Sequence, residues 1–450
     1  MLSLVSEGQE VQMGQQYMAE VEREQGVYAD PALNAYVDSV GHALAAVSER
    51  PDLPWSFRIV DDPVVNAFAL PGGPIYLARG IMAHFNSEAE MASVLGHEIG
   101  HVTARHIVEQ MSRQQIAQLG LIASMIAVPD LMPYSQSISG ALGVVFLKFG
   151  RDDESQSDEL GFRYMTRVGY DPQGAVDMFE ILDRQDGESD RAIPEWASTH
   201  PDPGNRIAAA RQRIATSGIT EGIVRRDEYL RRIDGLVWGD DPREGYFLGQ
   251  RFVHPELKFQ FTLPEGWIKR NSKTAVLAGS PEKDAMFQLT AGAGTPEQAA
   301  DAFFSRDGIR RTGMARRTVN GLPAVVGTWS AETRQGVIEG LATFVRHGDL
   351  TYSMLGYAPS SRIGRYAAPL ERTLESFAPM TDPALTRVEP KRIEIVTVDR
   401  AMSAEQFLES FPSTIEPEDV LRINGLQAGE QIPSGTRLKR VVGSGGPSGG

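Results

Sequence analysis

The stretch Val94-Leu95-Gly96-His97-Glu98-Ile99-Gly100-His101-Val102 decides how the chain is read. It is an HExxH motif in an apolar helical frame. His97 and His101 are four residues apart, so a helix carries both imidazoles on one face. Two neutral imidazoles so placed can hold one Zn2+, and Glu98 beside them can serve as general base on the water that the ion polarises. The bland alternative is a helix with two partly buried histidines and a solvated glutamate. With 8 histidines in 450 residues, a chance match to the pattern is improbable. Asn86-Ser87 offer an N-cap for this helix, and Glu88, Glu90, Met91, Val94 and Leu95 lead into it. Gly96 and Gly100 weaken a helix interior. Their use there implies that another backbone or a substrate comes close.

On the N-terminal side the pattern is helical over 7–49, with Pro31 in the first turn of a second helix. Three short strands follow: Ser56–Val60, Val64–Leu70 and Pro74–Ala78, with Pro71-Gly72-Gly73 as a turn. An exposed edge of this small sheet would bind an extended peptide by strand addition, or the segment is an ordinary hairpin.

On the C-terminal side, residues 119–149 are strongly apolar and read as two short helices. They form either a buried hairpin or a hydrophobic lid or contact surface. Arg151-Asp152-Asp153-Glu154-Ser155-Gln156-Ser157-Asp158 then supplies carboxylates. A catalytic zinc needs a third protein ligand and an open fourth position. Glu154 and Asp158, four apart on a helix, can divide the work: one binds the metal and the other orients a zinc histidine from behind. A pattern continuing to a third histidine ligand fails, because positions 104 and 107 hold Ala104 and Ile107. His106 is off register, points away from the His97/His101 face on a continued helix, and reads as structural. In the Pro-rich loop Ala197–Asn205, His200 could reach the metal or the oxyanion. Arg206 could neutralise developing negative charge.

Composition bounds the remainder. A net charge of −15 argues against nucleic acid as a partner. The absence of cysteine excludes disulfides, thiol catalysis and cysteine metal sites. No apolar run reaches the length of a spanning helix. The length fits two to four domains. A boundary falls near 234–249. Beyond it, strands (Leu257–Leu263, Ala275–Ala278, Met286–Thr290, Ala324–Trp329, Val337–Val345, Thr351–Ala358) and helices (Pro296–Phe304, Ile363–Ser376) describe an α+β domain without a catalytic constellation. Past a linker at 381–390 come a strand (391–398), two helices (403–411, 416–424), a final strand (436–441) and a Gly/Ser/Pro tail, 443–450.

The helix His97-Glu98-Ile99-Gly100-His101-Val102-Thr103-Ala104-Arg105-His106 resembles that of the HtpX/BepA-like zinc metallopeptidases, relatives of the CaaX prenyl-protein endopeptidases. Asn66-Ala67-Phe68-Ala69 with Pro71-Gly72-Gly73, then Glu154 to Gly161, then Ser198-Thr199-His200-Pro201 and Arg206 fall in the family's order. The resemblance spans about residues 7–215. It implies a mainly helical gluzincin-type domain with zinc ligands His97, His101 and Glu154, and Glu98 as base. Asp158 stands behind the ligands, and Asn66, Ala67 and Phe68 lie on a substrate-binding strand. It also implies a His200 that occupies the fourth zinc position in a latent enzyme. The family usually writes ExEAD where this chain has Glu154-Ser155-Gln156-Ser157-Asp158; the ligand and the aspartate survive. Missing spanning helices favour the periplasmic branch, with a signal segment left out of the sequence. The middle region resembles a PsbP-like sandwich, and residues 391–441 resemble a LysM module, which would imply contact with peptidoglycan.

The expectation is therefore an α+β chain. Residues 1–238 form a zinc peptidase domain, 250–380 an α+β domain, 390–442 a LysM-like module and 443–450 a tail. The function expected is periplasmic zinc-dependent endopeptidase action on misfolded or misassembled envelope polypeptides. The partners implied are the outer-membrane assembly machinery and peptidoglycan. The rival expectation is a chaperone or scaffold that binds envelope proteins with little proteolysis.

Overall fold

Helix α1 (Glu7–Glu24) starts at Ser6, whose side chain and that of Gln9 cap each other's backbone N–H. Helix α2 (Pro31–Ala45) starts at Asp30, whose carboxylate accepts the Leu33 N–H at 2.9 Å. Strands β1 (Ser56–Val60), β2 (Ala67–Ala69) and β3 (Pro74–Ala78) form a sheet ordered β1-β3-β2, parallel between β1 and β3 and antiparallel between β2 and β3. The short helix α3 (Arg79–His84) leads to α4 (Glu88–Thr103), the HExxH helix. As expected, Ser87 is its N-cap, accepting the Glu90 N–H at 3.2 Å. Glu88 and Glu90 place negative charge at its N-terminal end, where the helix dipole favours it. Buried Glu88 is tied there by Tyr36, Tyr170 and Arg225 at 2.7, 2.6 and 2.8 Å.

The structure, a computed structural model, describes residues 5–112, 148–186, 200, 203–333 and 336–445. Most of the apolar stretch expected as a hairpin or lid at 119–149 lies outside the described residues. So does the loop around His200 and the end of the tail. No helix of the described residues is long and apolar enough to cross a membrane.

Helices α5 (Arg151–Val168), α6 (Gln173–Asp186), α7 (Pro203–Ser217) and α8 (Arg226–Ile233) follow. The two glycines of α4 explain how α5 reaches the metal side. A Cβ on Gly96 would lie 3.1 Å from the Gly161 carbonyl oxygen, and one on Gly100 would lie 3.0 Å from Ser157 Cα. The close approach inferred from sequence is thus that of the α5 backbone, and it brings Glu154 and Asp158 alongside His97 and His101.

The described residues form two units. One holds residues 5–240 together with 391–443; the other holds 241–390 and 444–445. In the second unit, strands β4 (Tyr246–Leu248), β5 (Arg251–His254) and β6 (Phe259–Thr262) are followed by β7 (Ile268–Asn271), β8 (Ala275–Gly279) and β9 (Met286–Gly292). Helix α9 (Pro296–Phe304) precedes β10 (Ile309–Val319), β11 (Leu322–Thr333), β12 (Gly336–His347) and β13 (Leu350–Pro359). Helix α10 (Ile363–Glu375) and β14 (Ala378–Pro379) close it. Its antiparallel sheets run β10-β11-β12-β13-β9-β8-β7 and β14-β6-β5-β4 around a core that includes Phe252, Phe259, Phe261, Phe287 and Tyr352.

The C-terminal segment contains β15 (Arg392–Thr397), α11 (Ala404–Ser410), α12 (Pro417–Ile423) and β16 (Arg437–Val442), which pairs antiparallel with β15. It belongs to the unit of the HExxH helix. The physical reason is Lys439 on β16. Its side chain is fully buried, and its ammonium donates to the Ala83, His84 and Phe85 carbonyls at 3.0, 3.4 and 2.9 Å, at the C-terminal end of α3. The Ile393 N–H donates to the Leu236 carbonyl, and the Gly235 N–H to the Ile393 carbonyl, both at 2.8 Å. A lysine is rarely buried without partners; here the partners lie on another segment, so burial and docking are one event.

Candidate metal centre

Helix α4 presents His97 and His101 on one face, as their spacing requires. Their Nε2 atoms lie 3.0 Å apart. Glu154 Oε1 is 3.4 Å from His101 Nε2, and Glu154 Oε2 is 3.5 Å from His97 Nε2. His200 Nδ1 is 3.2 Å from His97 Nε2 and 2.9 Å from Glu154 Oε1. Donor atoms of His97, His101, Glu154 and His200 all lie within 4.8 Å of one another, and all four residues are buried. Two donors about 2.0–2.1 Å from a tetrahedral ion stand roughly 3.3 Å apart, so these separations suit zinc.

The hydrogen bonds behind the donors point the same way. His97 Nδ1 lies 2.9 Å from Asp158 Oδ1. An ionised carboxylate accepts only, so Nδ1 carries the proton and Nε2 turns a lone pair inward. Arg206 Nε and Nη2 donate to the two oxygens of Asp158 at 2.9 and 2.6 Å. Burial pushes the Asp158 carboxyl up, but Arg206 and His97 outweigh it and hold the group well below its usual range. Glu154 behaves alike: burial raises it, and His200, His101 and His97 bring it far down, to a permanent carboxylate. Burial pulls His101 down and so keeps it neutral. Two Nε2 lone pairs turned toward each other across 3.0 Å, with a carboxylate beside them, repel unless a cation sits among them.

Glu98 is buried; its Oε1 has no hydrogen-bond partner among the described residues and lies 3.6 Å from His200 Nε2. Burial pushes its pKa up, despite opposition from His200 and His97. A carboxylate with raised proton affinity next to a metal position is suited to take a proton from water.

Residues 31–214 match Peptidase family M48. This part of the chain is an M48 peptidase domain. Zinc is the metal of that family, and the buried donor set fits it. Similarity to the beta-barrel assembly-enhancing protease of Escherichia coli (strain K12) is 32% identity over 219 residues, 47% of this chain and 45% of that protein. The mitochondrial metalloendopeptidase OMA1 of Arabidopsis thaliana is 36% identical over 167 residues, 36% of this chain and 32% of that protein. The chain thus spans about half the length, 45%, of the first of these curated relatives. Among solved structures, cyanobacterial PsbP from Synechocystis sp. PCC 6803 matches with 14% identity and a TM-score of 0.26, covering 29% of this chain and 93% of that one.

Within the M48 domain the structure brings together His97, Glu98, His101, Glu154, Asp158, His200 and Arg206. Arg206, expected to face developing negative charge, is instead bound to Asp158 and lies 3.0 Å from Glu154 Oε2. It is buried over the Phe179 ring, 4.5 Å from the centroid. Its charge is committed to the two carboxylates, which it steadies. Ala67 and Phe68 lie on β2, an edge strand of the small sheet, Asn66 immediately precedes it, and all three are buried.

One expectation was wrong. His106 does not point away; its Nδ1 sits 3.1 Å from His101 Nδ1. The helix stops at Thr103, and Arg105 takes a left-handed backbone, φ 63°, that swings His106 back. Helical extrapolation past Thr103 could not have found it.

Proposed function

We propose that the protein is a zinc-dependent endopeptidase, and that its substrates are misfolded or misassembled polypeptides of the cell envelope, met in the periplasm. The observation that carries the reading is the convergence of His97, His101, Glu154 and His200 beside Glu98. When bound there, zinc would supply a Lewis acid that polarises water and the scissile carbonyl. Glu98 takes the proton of the attacking water and delivers it to the leaving amine. Asp158 keeps His97 in its binding tautomer, and Arg206 holds both carboxylates in place. An extended substrate would add alongside β2 at Asn66, Ala67 and Phe68. The name of the Escherichia coli relative, a beta-barrel assembly-enhancing protease, supports envelope proteins and their assembly machinery as the setting. The strand–helix–helix–strand order of residues 391–443 supports the LysM resemblance, with peptidoglycan as the partner it would take.

His200 is proposed as a latch. Four protein donors close a zinc site, whereas a catalytic one keeps a position open. His200 lies between Glu154 and Glu98, 2.9 Å from the one and 3.6 Å from the other.

Casein cleavage by the purified chain tests the reading. Glu98→Gln should lower the rate by about 100-fold or more with zinc retained, and His200→Ala should raise it. Equal cleavage by wild type and Glu98→Gln would remove the hydrolase assignment and leave a protein that binds without cutting. An unchanged or lower rate in folded His200→Ala would remove the latch.

A further inference from the structure

The two zinc histidines are oriented by different chemistry. Behind His97 stands a charged pair, Asp158 with Arg206. Behind His101 stands His106, buried, with its Nδ1 3.1 Å from His101 Nδ1 and its Nε2 3.1 Å from Gln156 Oε1. Ser157 Oγ lies 3.2 Å from the same His106 Nδ1, and Asp153 Oδ1 is 3.8 Å from its Nε2.

We propose that His106 is a positioning residue for the metal centre, fixing the tautomer and ring orientation of His101 through a neutral relay that ends on Gln156. This rests on the reading that the site holds zinc.

Counting protons leaves one arrangement. Two Nδ1 atoms at 3.1 Å share one proton, carried by one ring or the other. If His106 carried it, His101 would be protonated on Nε2, the atom that faces His97 Nε2 and Glu154, and could not bind a metal. A metal-binding His101 therefore donates from Nδ1, and His106 accepts. His106 is then protonated on Nε2, which is where Gln156 offers a carbonyl oxygen. Ser157 shares the His106 lone pair as a second donor. Every atom in the chain from Gln156 to His101 has a consistent role.

The backbone is arranged to the same end. On a continued helix a residue five places on from His101 would lie about 140° round the axis. The left-handed turn at Arg105 brings it back, in a conformation that a non-glycine residue adopts at some cost. Arg105 is held in that turn by buried Glu10, at 3.1 Å, and by the Val5 carbonyl, at 2.6 Å. Glu10 also binds Arg50 at 2.9 Å. Helix α1 thus anchors the turn that aims His106.

The test is the zinc dissociation constant of the full chain, by competition with a chelator, for wild type, His106→Phe, His106→Gln and Gln156→Leu. Thermal unfolding of the chelated proteins checks that each folds. Long-range nitrogen–proton spectra of the zinc-loaded chain report the tautomers. Losing the partner behind a zinc histidine weakens binding by about 10–100-fold, and that range is expected for His106→Phe. His106→Gln keeps an acceptor oxygen and should recover most of the affinity. Gln156 is exposed, so Gln156→Leu should fold and weaken zinc by a smaller factor. The spectra should show His101 protonated on Nδ1 and His106 on Nε2. Unchanged affinity in folded His106→Phe, or equal loss in His106→Phe and His106→Gln, would overturn the proposal. Should His106→Phe not fold, unchanged affinity in Gln156→Leu with His106 protonated on Nδ1 would do so. Wild type without zinc would instead overturn the site itself.

Discussion

Among the described residues of 241–390 the buried polar side chains are four hydroxyls, Ser280, Thr343, Thr351 and Thr373, set among rings such as Phe252, Phe259, Phe287 and Tyr352. In the other unit the buried groups include Glu10, Arg79, Glu88, Glu90, His97, Glu98, His101, Glu154, Asp158, His200, Arg206 and Lys439. Among the described residues every buried charged side chain belongs to that second list. Removing charge from water costs several kcal/mol per ion before partners offset it. A unit built only for stability has no need of it, and rings suffice. Where charge is buried in such number, the fold is holding donors and acceptors in set positions, and this marks the M48 domain, with its docked C-terminal segment, as the place of chemistry.

The contrast can be broken most sharply at Lys439. Replacing it with Met takes the Lys439 donor from the Ala83 and Phe85 carbonyls, leaves the His84 carbonyl to the Asn86 side-chain amide alone, and removes a positive charge that opposes the upward push of burial on the Glu90 pKa. Breaking a buried charge arrangement costs about 3–5 kcal/mol, and urea denaturation of Lys439→Met should show a loss of that order. A loss under about 1 kcal/mol would mean the segment docks without it.

Acid offers a second, smaller effect. Asp158 has a lower pKa in the fold than its unfolded value near 3.9. Its contribution is therefore full above that value and disappears as pH falls below it toward the folded pKa. With zinc chelated, stability should fall by on the order of 2 kcal/mol over that window, and Asp158→Asn should flatten the fall. An unchanged slope would show that Asp158 is not ionised in the fold.

The smallest effect belongs to the other unit. Arg365 pairs with Glu282 on its surface, and solvent screens the pair. Arg365→Ala should leave the melting temperature within error of wild type, and a clear drop would mean that this unit too depends on charge.

What the sequence made legible followed from periodicity. The HExxH spacing, the Ser87 cap, the Gly96 and Gly100 contacts and the Glu154/Asp158 pair are all local patterns, and each stands where its spacing put it. Three features escaped because no local pattern encodes them. His106 depends on a left-handed Arg105 held by Glu10, nearly a hundred residues earlier. Lys439 reads as an ordinary strand lysine until α3 is placed against it. Strand β10 lacks the alternation that marks strands, because Arg310, Arg311, Arg316 and Arg317 are all exposed on a sheet edge.

Metal analysis of the purified chain and of Glu154→Ala tests the central claim most directly. The account requires about one zinc per wild-type chain, lost on dialysis from Glu154→Ala while that variant keeps its fold. A wild type that takes up no zinc, or a Glu154→Ala variant that holds it as tightly as wild type, would contradict it.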